Sequence, residues 1–440
     1  MEESVAATLP EPSEPRLVGP FVTYALVWVA VLLLYLLRLS HWLTQPTAAV
    51  IRFVAFLIST FALGYFLFYA AALLQYGGGY SLIGDRSPLR KRLRFSPCWD
   101  LDGTAQWRVL RRIFVAWVVL VAVEFIVEQR VPAVSYLVSG NGDYRNFGIP
   151  SLHGALLALG LAIGLVAILL AMCIDQRRFY SFTLLVGAYG VLIINRKLLV
   201  LLALASLALA ILFSGVRLKT LWYGALGAVA LVSLFGYLGD VRTTRGLVER
   251  AELRMDYPTP LPSGPVWVYM YATTPLENAV NLITSHPPEG ALGARTFEGL
   301  IPTALVRAGD DNSTSAVNAS RYWLTTSAFN VSTGYEAPYR DGGWMFIAVV
   351  NVLLGGLTAY VAYFRSTLTW VPMLAILYLL GILSVFSNNL GNLNVMAAVP
   401  ASLLLGSACG LSAVGVRASS VREVGSRHGD DQATMVAALP

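Results

Sequence analysis

The chain has 440 residues, of which 56% are hydrophobic and only 13% are charged, and its mean hydropathy is +0.64. These values are typical of a polytopic membrane protein and exclude an ordinary soluble domain. The net charge of +6 does not point to nucleic acid, because the basic residues cluster between apolar segments, where membrane topology explains them.

Apolar segments follow one another from residue 20 onward. Residues 1–19 are acidic and proline-rich, and we expect a disordered tail there because the basic start and apolar centre of a signal peptide are missing. A helix needs about 20 residues to cross a bilayer. Ten segments are candidates: 20–38, 48–74, 110–128, 152–174, 180–195, 198–214, 221–238, 343–364, 369–386 and 395–413. The sequence therefore predicts an all-α membrane protein with about ten transmembrane helices.

The division of the chain follows from these segments. Seven helices are expected in a membrane region at 20–238 and three more in a second region at 343–413, with a large loop at 239–342 between them. The residues after 413 are rich in Ser, Gly and charge, and we expect a second disordered tail at 414–440.

The short loops predict the orientation of the helices. Residues 75–112 contain eight Lys or Arg against three Asp, and such loops stay in the cytoplasm. Arg177, Arg178, Arg217, Lys219 and Arg365 then fall on the same side. Both termini are expected in the cytoplasm and the 239–342 loop outside, which in a bacterial inner membrane means the periplasm.

The large loop has an unusual choice of cation. Between Val241 and Asp341 there are eight arginines and no lysine: Arg242, Arg245, Arg250, Arg254, Arg295, Arg307, Arg321 and Arg340. Because a guanidinium can grip phosphate or carboxylate with two parallel hydrogen bonds, the pattern favours an anion-handling active site. The alternative is a folded cap in which the arginines pair with eleven acidic residues from Asp240 to Asp341.

Other charged residues fall in or beside apolar segments on the predicted outer side. Arg145 and His153 lie at the start of the fourth segment, and Arg196 and Lys197 separate the fifth from the sixth. A cation there is costly unless it has a partner or faces a polar cavity, so these residues are functional candidates. The alternative for each cation is snorkelling to the lipid headgroups.

Short helices are expected inside the loop. Arg242, Arg245, Glu249 and Glu252 share one helical face, where Arg245 can pair with Glu249 and Arg242 is freer. Residues 265–283 are aromatic and amphipathic, too polar to span, and we expect them to lie along the membrane interface. A second short helix is expected at residues 296–307. The glycine-rich stretch 330–346 runs into the eighth segment.

Neither a disulfide framework, a metal site nor a cofactor is expected. Cys98, Cys173 and Cys409 form no CxxC pair. The four histidines are scattered, and the adjacent acids Asp310 and Asp311 point in different directions on a strand or a helix.

The order of several short motifs resembles that of the Wzy-type O-antigen polymerases of bacterial inner membranes. These motifs are GDYRNFGIP before the fourth segment, NRK between the fifth and sixth, FGYLGDVR entering the loop, YATTPLEN, TFEGLIPTAL, and a closing N-x-x-T…Y-x-D-G-G formed by Asn330, Thr333, Tyr339, Asp341, Gly342 and Gly343. The resemblance covers most of the chain from Phe61 to Leu405. The His-Asn signature of the related O-antigen ligases is missing.

The resemblance implies a metal-independent glycosyltransferase that joins oligosaccharide repeat units carried on undecaprenyl diphosphate. A chain-length regulator and a flippase are then candidate protein partners. Arg145, Arg196 and Arg242 are the first candidates for stabilising the departing diphosphate, with Arg245 and Arg321 second.

Other residues of this chain would orient the acceptor hydroxyl or hold the sugars. The candidates for the base are Asp341, Glu277, Glu298 and His286. The candidates for substrate binding are Lys197, His153, Asn330, Tyr339 and Arg340, with Trp267, Tyr271, Trp323, Tyr335 and Trp344 as sugar platforms or interface anchors.

Two other functions stay open. An O-antigen ligase, or another polyprenyl-phosphate-dependent glycosyltransferase, would handle the same diphosphate and differ in its acceptor. A flippase for lipid-linked glycans would also need cations, but such transporters usually show a repeat between halves and broken helices at mid-membrane, and the sequence shows neither.

Overall fold

A computed structural model describes residues 19–76, 101–139, 147–174, 176–214, 246–254, 263–300, 323–326, 331–365 and 367–412, with isolated residues between 222 and 236 and Phe329. Within these residues the chain is helical and contains no β-strand; Ser40 and Leu253 form an isolated β-bridge. The all-α prediction is therefore confirmed for the described part of the chain.

The α-helices are α1 (Pro20–Leu36), α2 (Thr47–Tyr76), α3 (Gly103–Glu128), α4 (Pro132–Ser139), α5 (Leu152–Ile174), α6 (Tyr180–Leu192), α7 (Arg196–Ser214), α8 (Gly246–Arg250), α9 (Gly264–Ser285), α10 (Ala294–Phe297), α11 (Glu336–Phe364), α12 (Val371–Leu383), α13 (Leu393–Met396) and α14 (Ala398–Ala408). Single 3₁₀ turns lie at Arg177–Phe179, Glu298–Leu300 and Leu368–Trp370. The expected span 221–238 lies mostly outside the described residues.

Three of the described helices are long and apolar enough to cross a membrane: Thr47–Ala72, Leu152–Ile174 and Glu336–Phe364. Four further apolar helices are shorter: Pro20–Leu36, Lys197–Ile211, Leu368–Leu383 and Leu393–Ala408. Large apolar side chains are exposed along several helices, among them Leu33, Leu63 and Leu353, each more than half exposed. Apolar surface of this extent suits lipid, so the protein is a helical membrane protein.

Helices α2 and α11 form the closest pair in the bundle. A Cβ atom at Gly64 would lie 2.0 Å from the carbonyl oxygen of Val352, and a Cβ atom at Gly355 would lie 2.3 Å from that of Phe61. The two backbones therefore touch directly at these glycines, as small residues allow between helices in membranes.

A buried polar network ties this pair to α1. The Asn351 amide donates to Leu57 O at 2.6 Å and to Thr60 Oγ1 at 2.9 Å. Its amide oxygen accepts the hydroxyl of Tyr335 at 2.7 Å and that of Tyr24 at 3.2 Å. All four hydrogen-bonding positions of the amide are used, so this buried polar group does not destabilise the apolar core.

The connecting segments sort into two ends of the bundle. At one, which we call the loop end, residues 38–45, 147–154, 193–197, 286–300, 331–343 and 387–394 meet; for example, the Asn388 side chain donates to Thr296 O at 2.8 Å. At the opposite end, Arg178 donates to Gly103 O at 2.9 Å and Gln106 donates to Cys409 O at 3.1 Å.

Helix α9 is more buried than predicted from the sequence. Residues 265–283 are helical as expected, but the helix is largely buried and packs against α1, α2 and α11. The side chains of Thr273, Thr274, Glu277 and Asn278, which made the segment too polar to span, are all buried. Thr273, Glu277 and Asn278 hydrogen-bond to protein neighbours, whereas the buried Thr274 hydroxyl has no partner among the described residues. Most of the polar side chains of this helix thus serve contacts inside the protein.

Helix α11 is broken at the motif that closes the loop. Gly342 has φ −164° and ψ 25°, and Gly343 has φ 64° and ψ −151°. The conformation of Gly343 is one that only glycine adopts without strain. The break separates a short helical turn at the loop end from the apolar helix that begins at Trp344.

Candidate functional site

Polar and charged side chains gather at the loop end, and we call the following group the polar rim: Glu124, His153, Tyr189, Asn195, Lys197, Thr296, Asn388, Asn394 and Asp341. They come from six separate stretches of sequence. His153 and Lys197 were predicted as substrate-binding residues, and Asp341 as a catalytic residue. The tertiary fold brings them to one end of the bundle.

One part of the polar rim is a carboxylate, an imidazole and a phenol on three helices. Glu124 of α3 is fully buried, and its two oxygens contact His153 Nδ1 at 3.0 Å and the Tyr189 hydroxyl at 2.9 Å. The His153 side chain is 23% exposed. Glu124 thus holds the imidazole in place by one nitrogen, while the ring keeps an accessible edge.

A crevice lies one helical turn along α5 from His153. It is lined by Leu157, Leu161, Asn195, Lys197, Leu198, Leu201 and Asn394. The described lining thus contains one cation and two amides and no carboxylate. The Asn195 side chain also accepts the Leu198 N–H at 2.9 Å, which caps the start of α7. Such a lining suits an anion.

The asparagine-rich segment 388–394 lies between this crevice and residues 286–300 and 331–343, which we call the loop base. A Cβ atom at Gly154 would lie 2.8 Å from Asn394 Oδ1, so Asn394 sits against the start of α5. Asn388 donates to Thr296 O and accepts the Gly391 N–H at 3.1 Å. This segment was not singled out in the sequence, although four asparagines in seven residues between two apolar helices were a signal.

Asp341 has a structural position. Its buried carboxylate accepts the backbone N–H groups of Arg295 at 2.9 Å and Thr296 at 2.7 Å, and also the Thr296 hydroxyl. These are N–H groups of the first turn of α10, so Asp341 caps that helix from a distant part of the chain. With its lone pairs occupied and no exposure, Asp341 does not suit the predicted role of a base.

Glu277 is occupied in the same way. Its buried carboxylate accepts the Thr44 N–H at 2.8 Å, the Thr44 hydroxyl at 2.9 Å, the Gln45 N–H at 3.0 Å and the Tyr35 hydroxyl. The side chain anchors the turn between α1 and α2 to α9. These contacts give Glu277 a structural role, and its predicted catalytic role stays a prediction.

The described arginines of the loop base are paired. Glu289 contacts Arg340 Nε at 2.6 Å and Arg295 Nε at 3.3 Å. Arg340 also lies over the Trp323 ring, 4.8 Å from its centroid, and approaches Glu336 at 3.9 Å. These two arginines pair with an acid of the loop, as the alternative of a self-paired cap predicts. The predicted substrate-binding role of Arg340 stays a prediction.

The remaining candidates of the loop base have defined positions. The Tyr339 hydroxyl donates to His286 O at 2.8 Å, so it braces the loop. Glu298 is half exposed and reaches Arg295 only at 4.0 Å. Arg250 and Arg254 have exposed side chains.

The aromatic candidates have mixed surroundings. Trp267 and Tyr271 stack with ring centroids 5.2 Å apart, and Trp344 packs edge-on against Phe56 at 4.7 Å. Tyr335 is buried in the Asn351 network, and the Trp323 side chain is buried under Arg340, so neither presents a free face to a sugar.

Several predicted site residues lie outside the described part of the chain: Arg145, Arg242, Arg245, Arg321 and Asn330, together with the side chain of Arg196. Their predicted roles stay predictions. The backbone of Arg196 begins helix α7 and places that residue beside Lys197 at the loop end.

Glu124 and Tyr189 were missed in the sequence. An acid inside the apolar segment 110–128 violates the same charge rule that marked Arg145, and it could have been found by that rule. Tyr189 carried no such signal, because a tyrosine in an apolar helix is ordinary.

Within the described residues no group of three or more His, Cys, Asp or Glu side chains could hold a metal ion. No protein-family model, curated protein or solved structure matches this chain.

Proposed function

We propose that this protein polymerises oligosaccharide repeat units carried on undecaprenyl diphosphate, by glycosyl transfer at the outer face of a bacterial inner membrane. Two independent lines support the proposal. One is the ordered set of motifs that resembles the Wzy-type polymerases. The other is the polar rim, which gathers at the end of the bundle that the positive-inside rule assigns to the outside.

The observation that carries the proposal is the crevice between α5 and α7. Lys197 supplies a cation and Asn195 and Asn394 supply amide donors in an otherwise apolar lining. A diphosphate attached to a lipid needs positive charge beside an apolar surface, and both are present here. Arg196 is adjacent in sequence and Arg145 lies seven residues before the start of α5, so the sequence predicts further guanidinium groups for the same site.

The chemistry asked of such a site is electrostatic. Transfer breaks the bond between the sugar anomeric carbon and the diphosphate oxygen, and negative charge grows on the leaving group. Fixed cations aimed at that charge lower the barrier, because they need no reorganisation as the reaction proceeds. A carboxylate-free lining fits this task, since an acid there would repel the leaving group.

The test is extension of a synthetic polyprenyl diphosphate oligosaccharide by the purified protein, with a metal chelator present. A ladder of products that differ by one repeat unit supports the polymerase. Transfer that occurs only when a lipid A core acceptor is added identifies a ligase instead. Movement of the labelled lipid across a vesicle membrane without any ladder identifies a flippase.

A further inference from the structure

The buried carboxylate of Glu124 has an unusual set of partners. Among the described residues its oxygens contact His153 Nδ1 and the Tyr189 hydroxyl, and neither of these is a backbone N–H or a permanent cation. Buried polar groups are stabilised when hydrogen-bond partners satisfy them, and here the two partners are an imidazole and a phenol on two other helices. The carboxylate therefore fixes the positions of both side chains.

The orientation of His153 suits proton transfer. Nδ1 is held by Glu124, so Nε2 is the nitrogen left to face a ligand, and the side chain is 23% exposed while Glu124 is fully buried. Phe147 packs edge-on against the ring at 5.7 Å, and Tyr189 holds the second carboxylate oxygen. A carboxylate that fixes one ring nitrogen and supports positive charge on the imidazole is the arrangement used by many general bases.

His153 also lies beside the proposed diphosphate site. It is the second residue of α5, and Leu157, which lines the crevice with Lys197, is one turn further on the same face. Gly154, the next residue, contacts Asn394 of the same crevice. The imidazole is therefore about one helical turn from the crevice lining, towards the loop end.

We propose that His153 is the general base of the transfer and that Glu124 and Tyr189 are positioning residues that act through it. This inference rests on the proposed polymerase function. His153 was expected from the sequence to bind substrate, and Glu124 and Tyr189 were not expected to take part.

Nε2 of His153 takes the proton of the acceptor hydroxyl while that oxygen forms a bond to the anomeric carbon of the donor sugar. The bond from this carbon to the diphosphate oxygen breaks, and its electron pair leaves with the polyprenyl diphosphate. The imidazolium, paired with Glu124, then releases its proton to water at the exposed edge of the ring.

The first experiment measures chain extension by His153→Gln and Glu124→Gln, each of which keeps a polar side chain of similar size. For His153→Gln we expect turnover to fall about 100-fold or more, within the range of general-base contributions, with the KM for the lipid-linked donor little changed. The turnover of Glu124→Gln should also fall, by a smaller factor, and that of Tyr189→Phe by a smaller factor still. If the KM of His153→Gln rose about 100-fold while its turnover stayed unchanged, His153 would contribute to binding alone.

The second experiment separates a base from a structural support. His153→Ala is assayed with added imidazole and, as a matched control, with pyrazole, which has the same shape but is a far weaker base. Rescue by imidazole and not by pyrazole supports the proposal. Equal rescue by both would show that the ring only fills space and would overturn it.

The two proposals fail in different ways. Absence of a product ladder from the wild-type protein removes the polymerase function itself. A wild-type ladder together with normal turnover in both His153→Gln and Glu124→Gln leaves the polymerase in place and removes only the general base.

Discussion

At the scale of single residues, three buried carboxylates differ in the kind of hydrogen-bond partner that each one has. Glu277 and Asp341 accept backbone N–H groups from a turn and from a helix start, and those donors cannot leave without unfolding the segment. Glu124 instead contacts two side chains from other helices, the His153 imidazole and the Tyr189 hydroxyl. Burial alone would rank the three equally, and the nature of the donor decides which one is suited to chemistry.

Asp341→Ala should destabilise the protein by about 1 to 3 kcal/mol, because the N–H groups of Arg295 and Thr296 lose their buried acceptor. Thermal unfolding in detergent measures this. The matched control is Glu298→Ala, which removes a half-exposed carboxylate from the same loop base and should change the unfolding temperature little. Equal effects of the two variants would contradict the capping role.

Arg145→Ala and Arg242→Ala should insert normally and yet abolish chain extension, if these residues stabilise the departing diphosphate. Lysine at either position should rescue poorly, because the guanidinium fork is lost. Product ladders from purified variants measure the effect. Arg177→Ala, an exposed arginine at the opposite end of the bundle, is the matched control and should keep full activity. A wild-type ladder from either alanine variant would remove that arginine from the site.

At the scale of helices, backbone contact between α2 and α11 organises the core. The oxygen of Val352 occupies the place that a side chain at Gly64 would need, and the oxygen of Phe61 does the same at Gly355. Dispersion between closely packed backbones replaces the hydrophobic effect, which is absent between helices in lipid. The Asn351 amide then fixes the register of this pair.

Gly64→Ala and Gly355→Ala should each destabilise the bundle by about 1 to 3 kcal/mol or more, because a methyl group must push the two helices apart. The unfolding temperature in detergent and the yield of folded protein report this. Gly187→Ala on α6 is the matched control, since nothing lies within 4 Å of a Cβ atom built there. Because alanine favours a helix more than glycine does, Gly187→Ala should be neutral or slightly stabilising. A loss as large in this variant would contradict the contact explanation.

At the scale of the whole molecule, the two ends of the bundle carry different chemistry. The opposite end holds Arg178 against Gly103 and Arg365 over Trp370. The loop end holds the polar rim and the ion pairs of Glu289. Because basic short loops stay in the cytoplasm, this asymmetry predicts which end faces outward.

Cysteine labelling tests the orientation in a variant with Cys98, Cys173 and Cys409 replaced. Leu292→Cys, at a position that is 88% exposed at the loop end, should react with a membrane-impermeant maleimide in intact cells once the outer membrane is permeabilised. Arg177→Cys, exposed at the opposite end, should react only after lysis. The reverse pattern would invert the topology and place the polar rim on the cytoplasmic side.

Composition and apolar segments were enough to predict a helical membrane protein, since long apolar segments are stable in lipid as helices. The sequence also predicted the positions of most described helices, but the break at Gly342–Gly343 is seen only in the structure. The predicted roles of Lys197 and His153 stay predictions. The sequence could not separate Glu124 from Glu277 and Asp341, or find Asn394. Those roles depend on hydrogen-bond partners that are distant in sequence. The folded structure was needed to show which donor contacts which carboxylate.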